Sequence, residues 1–244
     1  MRRTMTSLAL VAAAVLVLPV AANAAPTQDF NITASPAKSG TKKKPVPVTV
    51  NFSTGTKDDP GVLPPTTSRA AVFFPAGAQW NGDLFPKCAA SGISAARSTD
   101  DCPKGSIVGS GKAAALAVGN IVQNDLKITA VNGGKNRLNL FVEGTSPLRI
   151  QSNLDVKIGK ASGDYGMSLT VDIPQNLQEP APGVRTAITL FQVKVGAKRK
   201  VKGVTRGIAE INKCTGTWKA KADFNYADGT KTTVNDSLKC TKGK

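Results

Sequence analysis

Residues 148–158 read LRIQSNLDVKI, and apolar and polar side chains alternate along them. Leu148, Ile150, Leu154 and Val156 share one parity, whereas the charged and amide side chains share the other. Successive side chains of a β-strand point to opposite faces, so this stretch predicts a half-buried strand. An amphipathic helix would show an apolar period of 3.6 residues, which this alternation contradicts.

Similar stretches, separated by Gly, Pro and Asn, occur on both sides of this one. Further strands are predicted over residues 46–52, 70–74, 106–118, 121–131, 137–143, 167–173 and 187–195, with two more between Cys214 and Cys240. No segment has a sustained helical period, so we predict an all-β protein, an antiparallel β-sandwich of about ten strands. Residues 46–244 would form it, as one domain or as two packed subdomains divided near residue 119. Residues 25–45, polar and rich in Pro and Lys, are expected to be an extended lead-in.

The last predicted hairpin has a testable register. Apolar residues at the even positions of 218–226 form one face, and the returning strand offers Val234 and Leu238. A two-residue turn would set the apolar face of one strand against the polar face of the other. A three-residue loop of residues 227–229, with Gly229 in the left-handed conformation, aligns the apolar sets and places Cys240 opposite Gly216.

Residues 1–24 predict a cleaved signal peptide. Arg2 and Arg3 precede an apolar stretch over 7–20, and Ala22-Asn23-Ala24 is a small-x-small cleavage site. A permanent anchor needs about 20 apolar residues, and no transmembrane span is expected after removal of the signal. Loss of Arg2 and Arg3 lowers the formal charge of +16 to +14. We expect a secreted or extracytoplasmic basic protein, with ordinary secretion favoured over twin-arginine export.

The four cysteines allow three pairings. An oxidising destination favours disulfides, and the absence of a CxxC motif disfavours zinc or redox chemistry. We predict disulfides between Cys88 and Cys102 and between Cys214 and Cys240, because each pair brackets one local loop or hairpin.

The chain contains no histidine, which excludes Ser-His-Asp and Cys-His catalysis and His-ligated zinc. The segment Gly109-Ser110-Gly111-Lys112-Ala113-Ala114 loosely fits a dinucleotide fingerprint, but its flanks predict strands where that motif needs a helix. Asp58-Asp59 and Asp100-Asp101 lack a calcium-loop pattern. We assign no catalytic residue, metal or cofactor. A His-free, carboxylate-dependent hydrolase of the glycosidase kind is the alternative, with Glu143, Glu179 and Glu210 as its only glutamates.

Six basic residues fall within 13 positions that contain no acid, and we call them the basic patch. They are Lys194, Lys198, Arg199, Lys200, Lys202 and Arg206. The patch predicts binding to an anionic cell-wall or envelope polymer. It has no aromatic residue for base stacking, so specific nucleic-acid recognition is not expected. The competing interpretation is a solvated hairpin that keeps an exported chain soluble and blunts a sheet edge.

Three short segments carry a resemblance: FPKC at 85–88, CPKGSIVGSG at 102–111, and YADGT at 226–230 before Cys240. In these the chain resembles a group of uncharacterised exported actinobacterial proteins that are β-rich and have paired cysteines. The resemblance implies a secreted β-rich fold and brings no activity, cofactor or catalytic residue. The leading hypothesis is a secreted, non-enzymatic structural or binding protein whose oligomeric state stays open.

Overall fold

The computed structural model describes residues 27–243, so the predicted signal peptide lies outside the described residues. This part of the chain is mostly β-strand, with two short helices and a 3-10 turn at Gly82–Leu84. The strands are β1 (Thr27–Ser35), β2 (Lys38–Ser39), β3 (Val46–Pro47), β4 (Thr49–Lys57), β5 (Thr67–Pro75), β6 (Ala78–Trp80), β7 (Ile107–Ala117), β8 (Ile121–Gly134), β9 (Arg137–Gly144), β10 (Ile150–Lys160), β11 (Tyr165–Asp172), β12 (Thr186–Val195), β13 (Lys198–Val201), β14 (Val204–Gly207), β15 (Ala209–Ile211), β16 (Thr217–Tyr226), β17 (Lys231–Lys239) and β18 (Thr241–Lys242). The helices are α1 (Ala90–Ala96) and α2 (Gln175–Gln178).

Eleven strands form one antiparallel sheet in the order β1-β4-β12-β7-β8-β9-β10-β11-β5-β16-β17. The all-β antiparallel fold predicted from the alternating segments is therefore confirmed. Both layers of the fold belong to this single sheet, which curls over a common core. Residue 119, the boundary in the alternative with two subdomains, lies in the turn that joins β7 to β8, and these strands are neighbours in the sheet.

The segment expected to be a lead-in contributes an edge strand. β1 pairs with β4 along nine residues, from Thr27 opposite Lys57 to Ser35 opposite Thr49. Phe30, Ile32 and Ala34 point towards the core between polar neighbours, which is the pattern of a half-buried strand. The expectation differs from the structure because three apolar residues in a Lys- and Pro-rich segment are a weak periodic signal.

The curvature of the sheet brings its two edge strands, β1 and β17, alongside each other. The Ile32 backbone N–H donates to Asp236 Oδ2 at 2.8 Å. Close by, the Tyr226 hydroxyl at the end of β16 donates to Gln28 Oε1 on β1 at 2.9 Å. Side-chain hydrogen bonds of this kind, in place of a backbone ladder, join the two margins of the described sheet.

The two ends of the curled sheet differ. At the closed end, a three-stranded sheet of β3, β15 and β6 covers the interior, and Ala209 and Ile211 of β15 lie in the core with Val48, the residue after β3. At the loop end lie α2 and the turns at 118–120, 145–149 and 227–230. On the outer face, α1 packs Ile93 against Val131 and Phe141.

Both predicted disulfides are present, Cys88–Cys102 and Cys214–Cys240. The predicted register of the last hairpin is also confirmed. Tyr226 N donates to the carbonyl oxygen of Thr230 at 3.0 Å across a three-residue loop, and Gly229 has a φ of +87°. At the far end, Cys240 N donates to the carbonyl oxygen of Gly216 at 3.0 Å.

Candidate functional site

Most of the basic patch lies on a small hairpin that forms its own two-stranded sheet, and the two faces of this hairpin carry different basic residues. We call this element, β13 with β14, the basic hairpin; Lys202 and Gly203 form its turn at φ +49° and +79°. Arg199 lies opposite Arg206, and these side chains therefore share one face. Lys198 and Lys200 have the other parity and lie on the opposite face.

The arginine face fastens the hairpin to the body of the protein. Arg199 Nη1 donates to the carbonyl oxygen of Leu84 at 2.7 Å, and its guanidinium lies 6.0 Å from the centre of the Phe85 ring. Arg206 donates two hydrogen bonds to Glu210, at 2.9 and 2.8 Å. A forked pair of this geometry fixes orientation as well as charge. Two of the six basic side chains therefore serve as anchors.

Glu210 is the buried partner in this arrangement, with 1% of its surface exposed. Its carboxylate also accepts the Gly207 N–H at 2.9 Å. Burial raises the pKa of Glu210, but hydrogen bonds from Arg206 and Gly207 outweigh it, and the pKa lies below the usual glutamate value. The group is thus ionised at neutral pH and acts as a counterion, whereas a general acid would need a raised pKa.

The lysine face stays open to solvent. Lys198, Lys200 and Lys202 are exposed, and within residues 27–243 no carboxylate oxygen lies within 4.0 Å of their ammonium groups. The sixth member of the patch, Lys194, projects from the outer face of β12. The structure therefore brings three of the six predicted residues together as free cations on one element.

Two further lysines, which sequence reasoning missed, lie beside Lys194. Lys112 on β7 is directly opposite Lys127 on β8, and Lys194 on β12 pairs with Ser110, two residues from Lys112. We call these three exposed residues the outer lysine row. Lys112 and Lys127 repel each other across the two strands, and Glu143 on β9, which lies opposite Lys127, partly offsets this repulsion. The outer lysine row becomes apparent only from the pairing of β12 with β7, and the sequence alone does not reveal that pairing.

The curled sheet encloses an apolar cavity of about 170 Å³. Its lining comes from the inner face of the sheet, from strands on opposite walls of the curl, and includes Trp80, Leu140, Val156, Phe191 and Trp218. Well-packed proteins contain few voids larger than a water molecule. At about 24 cal/mol per Å³, an empty cavity of this size lowers stability by about 4 kcal/mol relative to a filled core.

A second cavity, of about 70 Å³, lies at the loop end beneath Leu177 of α2. Thr67, Leu154, Ile173, Ile188 and Phe191 line both cavities, which are therefore adjacent. Ile121 and Leu148 also line the second cavity, and they are 40% and 38% exposed. Neither cavity was predicted, because the lining residues come from strands far apart in the chain.

The 145–149 turn, which carries Leu148, is held by Asp125. Its carboxylate accepts the backbone N–H groups of Thr145 at 2.7 Å and Ser146 at 3.0 Å, and the Thr145 hydroxyl at 3.1 Å. Because hydrogen bonds to the ionised form favour it, led by that of the Thr145 amide, the pKa of Asp125 is lowered to about 2.

Asp125→Asn is expected to speed amide exchange at Thr145 and Ser146 roughly tenfold, since the amide side chain accepts without a charge. A depressed pKa means that the wild-type protection is complete above about pH 4 and disappears as the pH falls towards 2. Hydrogen exchange with mass spectrometry at several pH values measures both effects. Unchanged exchange in the variant would contradict this role.

The residues that the structure describes offer few other groups suited to catalysis or metal binding. Glu210 is the one carboxylate in the described lining of the two cavities. Residues 27–243 contain no cluster of three His, Cys, Asp or Glu side chains suited to a metal ion, and none of the helices in that range is long and apolar enough to cross a bilayer. The two disulfides are typical of an oxidising, extracytoplasmic environment.

No protein-family model matches this chain, and no curated protein matches it.

Proposed function

We propose that the protein is a secreted, non-enzymatic binding protein that contacts anionic polymers of the cell envelope through its basic hairpin. The observation that carries the proposal is the division of that hairpin into two faces. Arg199 and Arg206 attach one face to the protein. Lys198 and Lys200 on the other face, with Lys202 in the turn, face solvent as free cations.

Charge and residue type support a polymer as the partner. Ammonium groups are flexible point charges that attract phosphate or carboxylate without fixing its orientation, which suits a repetitive polyanion. The outer lysine row adds three more cations, and the formal charge of the whole chain is +16. The basic hairpin has no aromatic side chain on which a base could stack, so this surface is not suited to reading nucleic acid.

The cavity composition bears on the hydrolase alternative. A glycosidase of that kind needs two carboxyl groups facing each other across the scissile bond, one of them with a raised pKa. The described cavity lining offers Glu210, whose pKa is lowered and whose oxygens are engaged by Arg206 and Gly207. These contacts favour a binding function over hydrolysis.

Charge reversal at Lys198 and Lys200 tests the proposal. In low salt, the wild-type protein should bind immobilised poly(glycerol phosphate), and moderate salt should weaken that binding because exposed charges are screened. The Lys198→Glu/Lys200→Glu variant should bind at least about tenfold more weakly, since two attractive contacts become repulsive. Surface plasmon resonance at several salt concentrations measures the affinity.

The matched control is Lys231→Glu/Lys239→Glu, which changes two exposed lysines of β17 and the net charge by the same amount. It should retain wild-type affinity within about twofold, because it leaves the basic hairpin intact. Equal losses in the two variants would show that only net charge matters. The absence of any binding by the wild type would also overturn the proposal.

A further inference from the structure

We propose that the interior cavity is a binding site for a single aliphatic chain, such as the acyl or alkyl part of an amphiphile. The chain would enter at the loop end and leave its polar end there. This site is separate from the lysines of the basic hairpin and does not depend on their function.

The first support is the chemistry of the lining. Aliphatic and aromatic side chains dominate it, and they project inward from opposite walls of the curled sheet. Its main polar residues at the loop end, Gln28, Thr54 and Thr56, are hydrogen bonded to one another, at 2.6 and 2.7 Å. Apolar cavities of about this volume stay free of water and take up small apolar molecules.

The second support is the shape of the cavity. Met167, Leu169, Val171 and Ile173 all line it, and they alternate along β11 and one residue past its end. Six residues of extended chain span about 20 Å. Because the lining follows this wall, we infer that the cavity is elongated, and its volume of about 170 Å³ accommodates part of one alkyl chain, the rest of which would extend towards the loop end.

The third support is the difference between the two ends of the cavity. At the closed end, the Trp80 ring N–H donates to the carbonyl oxygen of Gly134 at 3.0 Å, and Glu210 at that end is already paired with Arg206. At the loop end, the second cavity continues the first towards the surface. Two of its lining residues, Ile121 and Leu148, are partly exposed at the surface there. These observations favour entry of an aliphatic chain at the loop end.

Tryptophan fluorescence provides the test, because Trp80 and Trp218 are the only two tryptophans of the sequence and both line the cavity. The probe is cis-parinaric acid, a fluorescent fatty acid whose absorption overlaps tryptophan emission. Titrated into the intact, oxidised protein, it should show saturable energy transfer with one probe bound per chain. The absence of saturable transfer would overturn the proposal.

Competition distinguishes recognition of the chain from recognition of the head group. Lauric acid and dodecanol have chains of equal length, and we expect both to displace the probe with similar affinity. Displacement by lauric acid alone would overturn the proposal, because a carboxylate site would then account for the binding.

Two buried alanines on β16 form a matched pair of positions. Ala220 and Ala222 point to the same face, but Ala220 lines the cavity and Ala222 does not. Ala220→Leu should fill the space, weaken probe binding at least about tenfold and raise Tm by about 2–4 °C. Ala222→Leu should lower Tm by overpacking while its folded form still binds the probe.

Ala70→Leu, at another lining position on β5, is the second cavity-filling variant and should also weaken binding. If one variant fails to fold, the other decides the result. Unchanged probe affinity in a folded Ala220→Leu or Ala70→Leu protein would place the probe elsewhere and overturn the proposal.

Discussion

Replacement of Glu210 by alanine is expected to lower the free energy of unfolding by about 3–5 kcal/mol. The carboxylate is buried and accepts hydrogen bonds from Arg206 and from the Gly207 N–H. Its removal leaves a guanidinium and a buried amide without an acceptor, and an uncompensated group of this kind is far more costly than a missing surface contact. Urea unfolding followed by tryptophan fluorescence measures the loss.

Glu143→Ala is the matched control. Glu143 lies on the outer face of β9 opposite Lys127, and its removal should change stability by less than about 0.5 kcal/mol. If the two variants were equally stable, the buried pair would not hold the hairpin to the closed end.

The effect of Glu210→Ala on stability should depend on pH. The pKa of Glu210 is lower in the folded chain than in the unfolded chain, so its contribution is complete above the unfolded value of about 4.3. As the pH falls below that value, the wild-type protein should lose this stabilisation. The stability difference between wild type and Glu210→Ala should therefore narrow at acid pH, and a constant difference down to the lowest pH would contradict the assignment.

Removal of the Cys214–Cys240 disulfide is the second large effect that we expect. This bond links the segment before β16 to the residue after β17, with a sequence separation of 26. The chain-entropy relation gives a loss of about 3.5 kcal/mol for Cys214→Ala/Cys240→Ala. Urea unfolding under non-reducing conditions measures it.

The other disulfide provides the comparison. Cys88 and Cys102 are separated by 14 residues and lie beside α1, on the outer face of the sheet. Cys88→Ala/Cys102→Ala should lose about 3 kcal/mol. A markedly greater loss there than at Cys214–Cys240 would contradict the expected order, in which the larger loop contributes more.

Local features of the fold were predictable from sequence. In the last hairpin, strand parity, a Gly in the loop and the two flanking cysteines all require the same register, and the structure has that register. Such agreement arises because each feature involves residues close in the chain. β1 escaped prediction because its alternation is weak, and β12 was predicted as a strand without its position between β4 and β7.

The candidate site was predictable only in part, for the same reason. A run of basic residues is visible in sequence, but Arg206 and Lys200 differ in role because one faces Glu210 and the other faces solvent. Lys112 and Lys127 become neighbours of Lys194 only after β7, β8 and β12 pair. The cavity results from curvature of the whole sheet, which depends on many non-local contacts.

The hydrogen bond from the Ile32 N–H to Asp236 also has a consequence for contacts between molecules. The margin strands of an open sheet carry backbone groups that can recruit a strand from another chain, which is a common route to aggregation. Here the two edge strands are turned towards each other, and the Asp236 carboxylate accepts a hydrogen bond from one of the backbone donors. An incoming strand therefore meets a shielded border along this length, which disfavours exchange of strands between copies of the chain.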